Sequence, residues 1–338
     1  MPYDSDHLRR LTQDDHTGDV IGLEDRLAAR ILQGADRAFE ELIRRTLAAW
    51  THAYGGPDQT ATPGELLRRL LSAARLAARR LLDDLAGRAP SVLAGGLGTA
   101  IAMGVEQGAA FVRAASGRRR RAPAVPSVTQ VLRDEAHRIR DLIVERRDRA
   151  LFLLHPDRVT RWSHLLAGLG AARAALPAAR AHIAWVINTA VHEGLDAVVR
   201  ATAPLRLWVS EADACVRCLA YTGRTVEPDE PFPGGLSWDP RQRGSRRPGV
   251  DGPPLHPHCR CRAVPWDDVW TTEGVPFPLA LQREAHRSLA YGRARPSESR
   301  AARLRAVREL LRTEPDLLPA VEARARTALR TGRFAAAA

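Results

Sequence analysis

The chain has 338 residues, 51 of them basic against 39 acidic, and a formal charge of +12; every basic residue other than histidine is arginine. Such a length exceeds what one core usually serves, so two or three structural units are expected. Aromatic residues make up 5% while Ala, Leu and Arg abound, which favours helices over sheets. The positive excess invites phosphate or an acidic protein surface. Complete replacement of Lys by Arg beside so much Ala is also the mark of a GC-rich genome, so arginine frequency alone names no chemistry.

Residues 1–20 are polar, lack the apolar core of a signal peptide and are expected to be a flexible N-terminus. Residues 21–115 predict a helical domain of three helices. Leu23 to Trp50 is one helical pattern, with Leu27, Ile31, Ala35, Phe39 and Leu42 on its apolar face, ended by Gly55-Gly56-Pro57. A second runs from Pro63 to about Leu85, with Leu67, Leu70, Leu71, Leu81 and Leu82 turned inward. The third spans Val92 to about Ala115. Its stretch Val92–Val105 is uncharged for 14 residues, short of the roughly 18 that a membrane span needs. A buried helix is therefore expected there, with no membrane contact, although Gly104-x-x-x-Gly108 lies on it.

Residues 116–127 form an Arg/Pro-rich linker. Arg118, Arg119, Arg120 and Arg121 beside Pro123 and Pro126 make either a solvated connection or a phosphate-gripping arm. Ser127 with Gln130 reads as a capping box opening a second helical domain, 128–204. It holds a helix to about Leu154, another from Val159 to Ala175, and a third from Pro177 to Thr202. On the last, His192-Glu193 and Asp196 begin like a metalloprotease zinc helix, but Asp stands where the second His belongs. Polar residues of an amphipathic helix are expected instead.

All four cysteines fall in a module over residues 205–270. Cys215-Val-Arg-Cys218 presents two thiolates to one tetrahedral ion, and His256-Pro-His258-Cys259-Arg-Cys261 offers the rest. Cys259 with Cys261 would complete an all-sulfur site; His256 with either would give a three-sulfur, one-nitrogen site. Two disulfides are the competing reading, disfavoured because Cys-x-Cys neighbours bridge only with strain and nothing directs the chain to an oxidising compartment. The expected cofactor is one structural Zn2+, with Cys215, Cys218, His256, Cys259 and Cys261 as the candidate ligands. Leu207–Val209 and Arg224–Val226 have strand character. The Gly/Pro-rich loop 232–252 should lie on the surface and present Arg241, Arg243, Arg246 and Arg247 to phosphate or carboxylate. Trp238 and Trp266 are expected to cover the metal site. An Arg-rich helical tail, 271–338, follows, with helices near 279–291, 297–311 and 317–330, the last two suited to a nucleic acid or an acidic partner helix.

The order Trp208, Asp213-Ala-Cys215-Val-Arg-Cys218, Gly223, Phe232 and Pro254-Leu-His-Pro-His-Cys-Arg-Cys261 resembles the C-terminal module of phage head morphogenesis proteins, the Mu F-like minor head proteins. Their signature ends in a His-Pro-x-Cys-Arg-Cys element. The helix Ala184–Asp196 also resembles the one preceding that module, so the likeness covers roughly residues 160–266. It implies a low-copy virion component in the phage head, made in the host cytoplasm and associated with the portal protein, the inner capsid and packaged double-stranded DNA.

The fold class expected is mainly α, a helical N-terminal region and a helical tail around a small zinc-stapled α+β module. The function expected is that of a minor head protein in capsid assembly, not an enzyme: no Walker loop, dinucleotide fingerprint or Ser-His-Asp arrangement can be placed. The alternative is a zinc-stapled nuclease in which His256 or His258 activates water, with Asp239 or Asp251 as its weak carboxylate candidates. A third reading is a DNA-binding regulator, which predicts sequence-specific rather than salt-dependent, sequence-tolerant binding.

Overall fold

In a computed structural model the protein is mainly helical with one small antiparallel sheet. The structure describes residues 3–61, 64–118, 120–244, 248–294 and 298–334. Contacts group the chain into two units that are both discontinuous in sequence. A sheet unit is built from Met1–Ile21, Gly98–Ser127 and Asn188–Ala338, and a helical unit from Gly22–Leu97 and Val128–Ile187. The cysteine module thus belongs to a larger body that recruits the N-terminus and parts of two long helices.

The helical unit takes most of α2 (His16–Ile31), all of α3 (Ala35–Tyr54), the first part of α4 (Glu65–Ser116), α5 (Gln130–Leu153), α6 (Trp162–Arg173) and the start of α7 (Ala175–Thr202). Leu27, Ile31, Phe39, Leu42 and Trp50 are buried, as their spacing predicts. The single helix expected over Leu23–Trp50 is two, because Gly34 takes a left-handed φ of 75° that ends one helix before the next begins. The two helices expected over Pro63–Leu85 and Val92–Ala115 are instead one, the 52-residue α4, with Pro90 inside it. Buried Leu85, Ala86, Ala89, Leu93 and Leu97 flank the proline, and their packing outweighs the roughly 3 kcal/mol that an interior proline costs. Thr129, not Ser127, caps α5, its hydroxyl accepting from the Leu132 amide at 3.3 Å.

The sheet unit starts with the N-terminal residues, which are folded rather than flexible. A short helix α1 (Ser5–Arg9) and a π-helical turn over Arg10–Asp15 bury Leu8, Thr12 and Gln13, and Tyr3 packs edge-on against Trp266 at 5.7 Å. Polar composition misled there because these side chains bond inward; the Gln13 amide donates to the Ser210 carbonyl at 2.6 Å. The Gly104 and Gly194 backbones touch: a Cβ on Gly104 would lie 2.0 Å from the Val191 carbonyl oxygen, and one on Gly194 would lie 2.1 Å from that of Ile101. The Gly-x-x-x-Gly stretch is thus a close helix crossing inside the unit, and among the described residues no helix is long and apolar enough to cross a membrane.

The sheet has the order β2 (Thr225–Val226), β1 (Leu205–Val209), β3 (Arg262–Trp266), with both pairings antiparallel. β3 was not legible beforehand, since its Arg and Pro mask the alternation. Both faces are covered. Leu207, Val209, Val264 and Trp266 point into a core with Phe111 and Phe277. Trp208 and Ala263 point into a second core with the cysteines and the tail helices. Those helices, α8 (Phe277–Tyr291), α9 (Arg300–Thr313) and α10 (Pro319–Thr331), fall within a few residues of the expected spans.

Candidate metal centre

Two short backbone turns bring the soft donors together. In the first, the Leu219 amide bonds to the Cys215 carbonyl at 3.0 Å, and Cys218 opens a 3-10 turn to Ala220. In the second, the Cys259 amide bonds to the His256 carbonyl at 3.0 Å, with His258 in the left-handed region at φ 61° to complete the reversal. Strand β1 leads into the first turn and β3 leaves the second, so the β1–β3 ladder sets the spacing of the knuckles.

The donors form two triangles that share Cys218: Cys215, Cys218 and His256 in one, and Cys218, Cys259 and Cys261 in the other, each with its ligand atoms within 4.8 Å of one another. The Cys215 and Cys218 sulfurs lie 3.3 and 3.5 Å from His256 Nε2, and the Cys218 and Cys259 sulfurs are 3.7 Å apart. Zn–S and Zn–N bonds of about 2.3 and 2.0–2.1 Å in a tetrahedron require edges of about 3.8 Å between sulfurs and about 3.5 Å from sulfur to nitrogen. The separations within the two triangles thus match the edges of such a tetrahedron, with Cys218 common to both. All four cysteines are reduced.

The imidazole of His256 is oriented for ligation. Its Nδ1–H donates to the Pro257 carbonyl at 2.8 Å, which leaves Nε2 facing the sulfurs. Charge at the cluster is concentrated. The hydrogen bond with Cys218 holds the Cys215 thiol down to about 4, against burial and with help from His256. Cys259 is also held low, by Cys218 and Cys261. Cys218 is pushed up by its sulfur neighbours Cys215 and Cys259, and Cys261 chiefly by burial. Burial opposes a charged His256, yet Cys215 and the thiolate of Cys259 raise it to about 9. Two thiolates drawing a cation between them is the electrostatic condition a divalent ion meets.

The cover over this cluster differs from expectation. Trp238 packs against it, but Trp266 lies in the core on the other face of the sheet. Trp208 takes that place, stacked on Tyr221 with centroids 4.7 Å apart and edge-on to Phe232 at 5.1 Å. The strand alternation that puts residue 208 on the opposite face from 207 and 209 is the signal that identifies it.

Several residues that hold the knuckles were not read in that role from the sequence. The His192 Nε2–H donates to the Cys261 carbonyl at 2.9 Å, and burial keeps that imidazole neutral by lowering it to about 4. His192 is thus a buried prop behind the second knuckle, which corrects the expectation of a polar helix face. The first knuckle is held by the tail: Glu298 accepts from the Val216 amide at 3.0 Å, and Arg303 donates to the Ala214 carbonyl at 2.9 Å. Glu298 and Arg303 pair at 2.7 Å with both side chains buried. Arg305 grips Asp239 through two bonds of 2.9 and 2.6 Å, so both carboxylate oxygens of that nuclease candidate are engaged.

The arginines singled out from sequence divide. Arg118, Arg120, Arg121 and Arg241 are exposed, with Arg120 donating to the Thr202 carbonyl at 2.8 Å. Arg243 is paired with Glu309 at 2.7 Å. Arg119, Arg246 and Arg247 lie outside the described residues. In the tail, Arg303 is buried and Arg305 is half-buried on Asp239, while Arg312 stays exposed and pairs with Glu309. Comparisons with protein-family models, with curated proteins and with solved structures found no match.

Proposed function

We propose that this chain is a minor head protein of a tailed phage or prophage, acting in head morphogenesis at the portal and inner capsid, beside packaged double-stranded DNA. The reading rests on the resemblance of the cysteine module. One observation supports it most: residues of that motif scattered from Trp208 to Cys261 gather in one place. Trp208, Cys218, Phe232, Cys259 and Cys261 share a single buried cluster, with Cys215 at its edge. The motif is therefore a physical module rather than a chance run of residues. Its role is structural, and no catalytic residue is assigned to it.

The ion it would take is zinc, held by Cys215, Cys218, His256 and Cys259, with Cys261 supplying the carbonyl that His192 grips. Bound zinc would contribute to folding by cross-linking two knuckles distant in sequence. The Cys261→Ser variant should retain one zinc per chain and Cys259→Ser should not; the reverse result would exchange their roles. The functional reading is tested by quantitative mass spectrometry of particles purified after prophage induction or infection. A few copies per particle is the expected result. Absence from particles in which portal and capsid proteins are readily detected would refute it.

A further inference from the structure

We infer that a furrow on the helical unit, between α4 and the end of α5, is a binding surface for the phosphate backbone of double-stranded DNA. Two adjoining clefts of about 200 and 650 Å³ meet there and share Arg75 and Leu151. The first is flanked by Arg79, one helical turn after Arg75, and the second by Arg158 and Phe152. Positions i and i+4 share a helix face, so Arg75 and Arg79 project side by side. Arg149 and Arg158 approach the Phe152 ring, their guanidinium carbons 5.9 and 3.7 Å from its centroid.

The charge balance is one-sided. The carboxylate lining these clefts is Asp157, and it faces His155 at 3.3 Å. Among the described residues, Arg75, Arg79, Arg149 and Arg158 have no carboxylate partner. Other arginines of the same unit are paired, Arg44 and Arg45 with Glu41, Arg68 and Arg69 with Glu65, and Arg147 with Asp83. The furrow thus gathers four arginines that, among the described residues, no carboxylate neutralises. Exposed Leu76 and Phe152, at 49% and 47%, keep the arginine stems on an apolar floor.

The aromatic ring chooses the partner. A single strand would stack its bases on a free ring face, but Arg158 sits over the ring of Phe152. The ring instead fixes a guanidinium for outward contact, which suits an unstacked, sequence-tolerant grip on phosphates. Duplex DNA, with one charge per about 1.7 Å of axis, offers the densest such array. The inference gives the proposed head protein its DNA contact, and it rests on that reading for its biological setting.

The test is fluorescence anisotropy of the purified full chain with a labelled 30-base-pair duplex over a salt series. A triple variant, Arg75→Gln, Arg79→Gln and Arg158→Gln, should bind at least tenfold more weakly. It should also flatten the slope of log K against log salt by about 3, at about 0.9 per lost phosphate contact. Phe152→Leu should weaken binding about threefold. The same substitutions at Arg118, Arg120 and Arg121 serve as the comparison and should cost less. Unchanged binding by the furrow variant overturns the inference, as does tighter binding of a single strand or an acidic peptide than of duplex. Unaltered circular dichroism checks folding; should the triple variant misfold, hydrogen exchange of the unmodified chain decides, with DNA expected to protect residues 72–79 and 149–158 and their lack of protection counting against it. Particle composition is read separately, so duplex binding by a chain absent from virions would sink the head-protein reading and leave the furrow standing.

Discussion

In the helical unit the apolar residues are inside and the ion pairs outside: Arg44 and Arg45 on Glu41, and Arg68 and Arg69 on Glu65, join exposed side chains three and four residues apart. The sheet unit has such outer pairs too, Arg326 on Glu322 among them, but adds inner ones. Arg303 with Glu298 and Arg305 with Asp239 are ion pairs with buried members; the second joins elements distant in sequence, and the first holds the distant Val216 amide and Ala214 carbonyl. The outer pairs add little and tolerate loss, since exposed pairs contribute about 0–1 kcal/mol. The inner ones fix position, because a buried charge without its partner is costly. The knuckles sit where such positional control acts: β1, β3 and the tail hold two donor turns against each other.

The largest effect that would sharpen this contrast is loss of the shared ligand. Cys218→Ser should abolish metal binding and unfold the sheet unit, seen as loss of bound zinc and of the near-ultraviolet signal of Trp208. A variant that keeps both would break the account of a staple. Next in size, Glu298→Ala should destabilise the sheet unit by about 3–5 kcal/mol in urea titration, because it strands buried Arg303. Replacing both partners with apolar residues should cost less than Glu298→Ala alone, which a pairwise-additive contact would not explain.

Acid should act on the sheet unit next. His16 is held down to about 3 by burial and then by Arg262. Glu309 is held at about 2 by Arg312, against burial, with Arg243 helping. Both folded values lie below the unfolded ones, so the unfolded chain takes up protons first and stability falls as pH falls. The loss from His16 begins below about pH 6.5 and that from Glu309 below about pH 4.3. Thermal melts followed through the tryptophans should show this fall; a midpoint independent of pH between 6.5 and 4 would contradict it. The smallest effect belongs to the helical unit, where Arg45→Ala should move stability by no more than about 0.5 kcal/mol. A larger loss would erase the contrast between outer and inner pairs.

Much of this was legible in the sequence where the signal is local. Helical periodicity located the three tail helices, and Cys-x-x-Cys with the His/Cys knuckle located the donors. Legibility failed where distant residues decide. Pro90 reads as a helix end until the buried residues around it are known. Tyr3, Gln13 and His192 read as polar surface until their partners, Trp266, the Ser210 carbonyl and the Cys261 carbonyl, appear across the fold. Arg303 and Arg305 are indistinguishable by composition from their exposed neighbours; only the fold shows that Glu298 and Asp239 wait for them.

Native mass spectrometry of the purified full chain, before and after chelation, tests the centre of the account. One zinc per chain, whose removal releases the ion and broadens the charge-state distribution as the sheet unit opens, is the predicted result. A chain that is metal-free when prepared with zinc present, and equally compact with or without chelator, would contradict it.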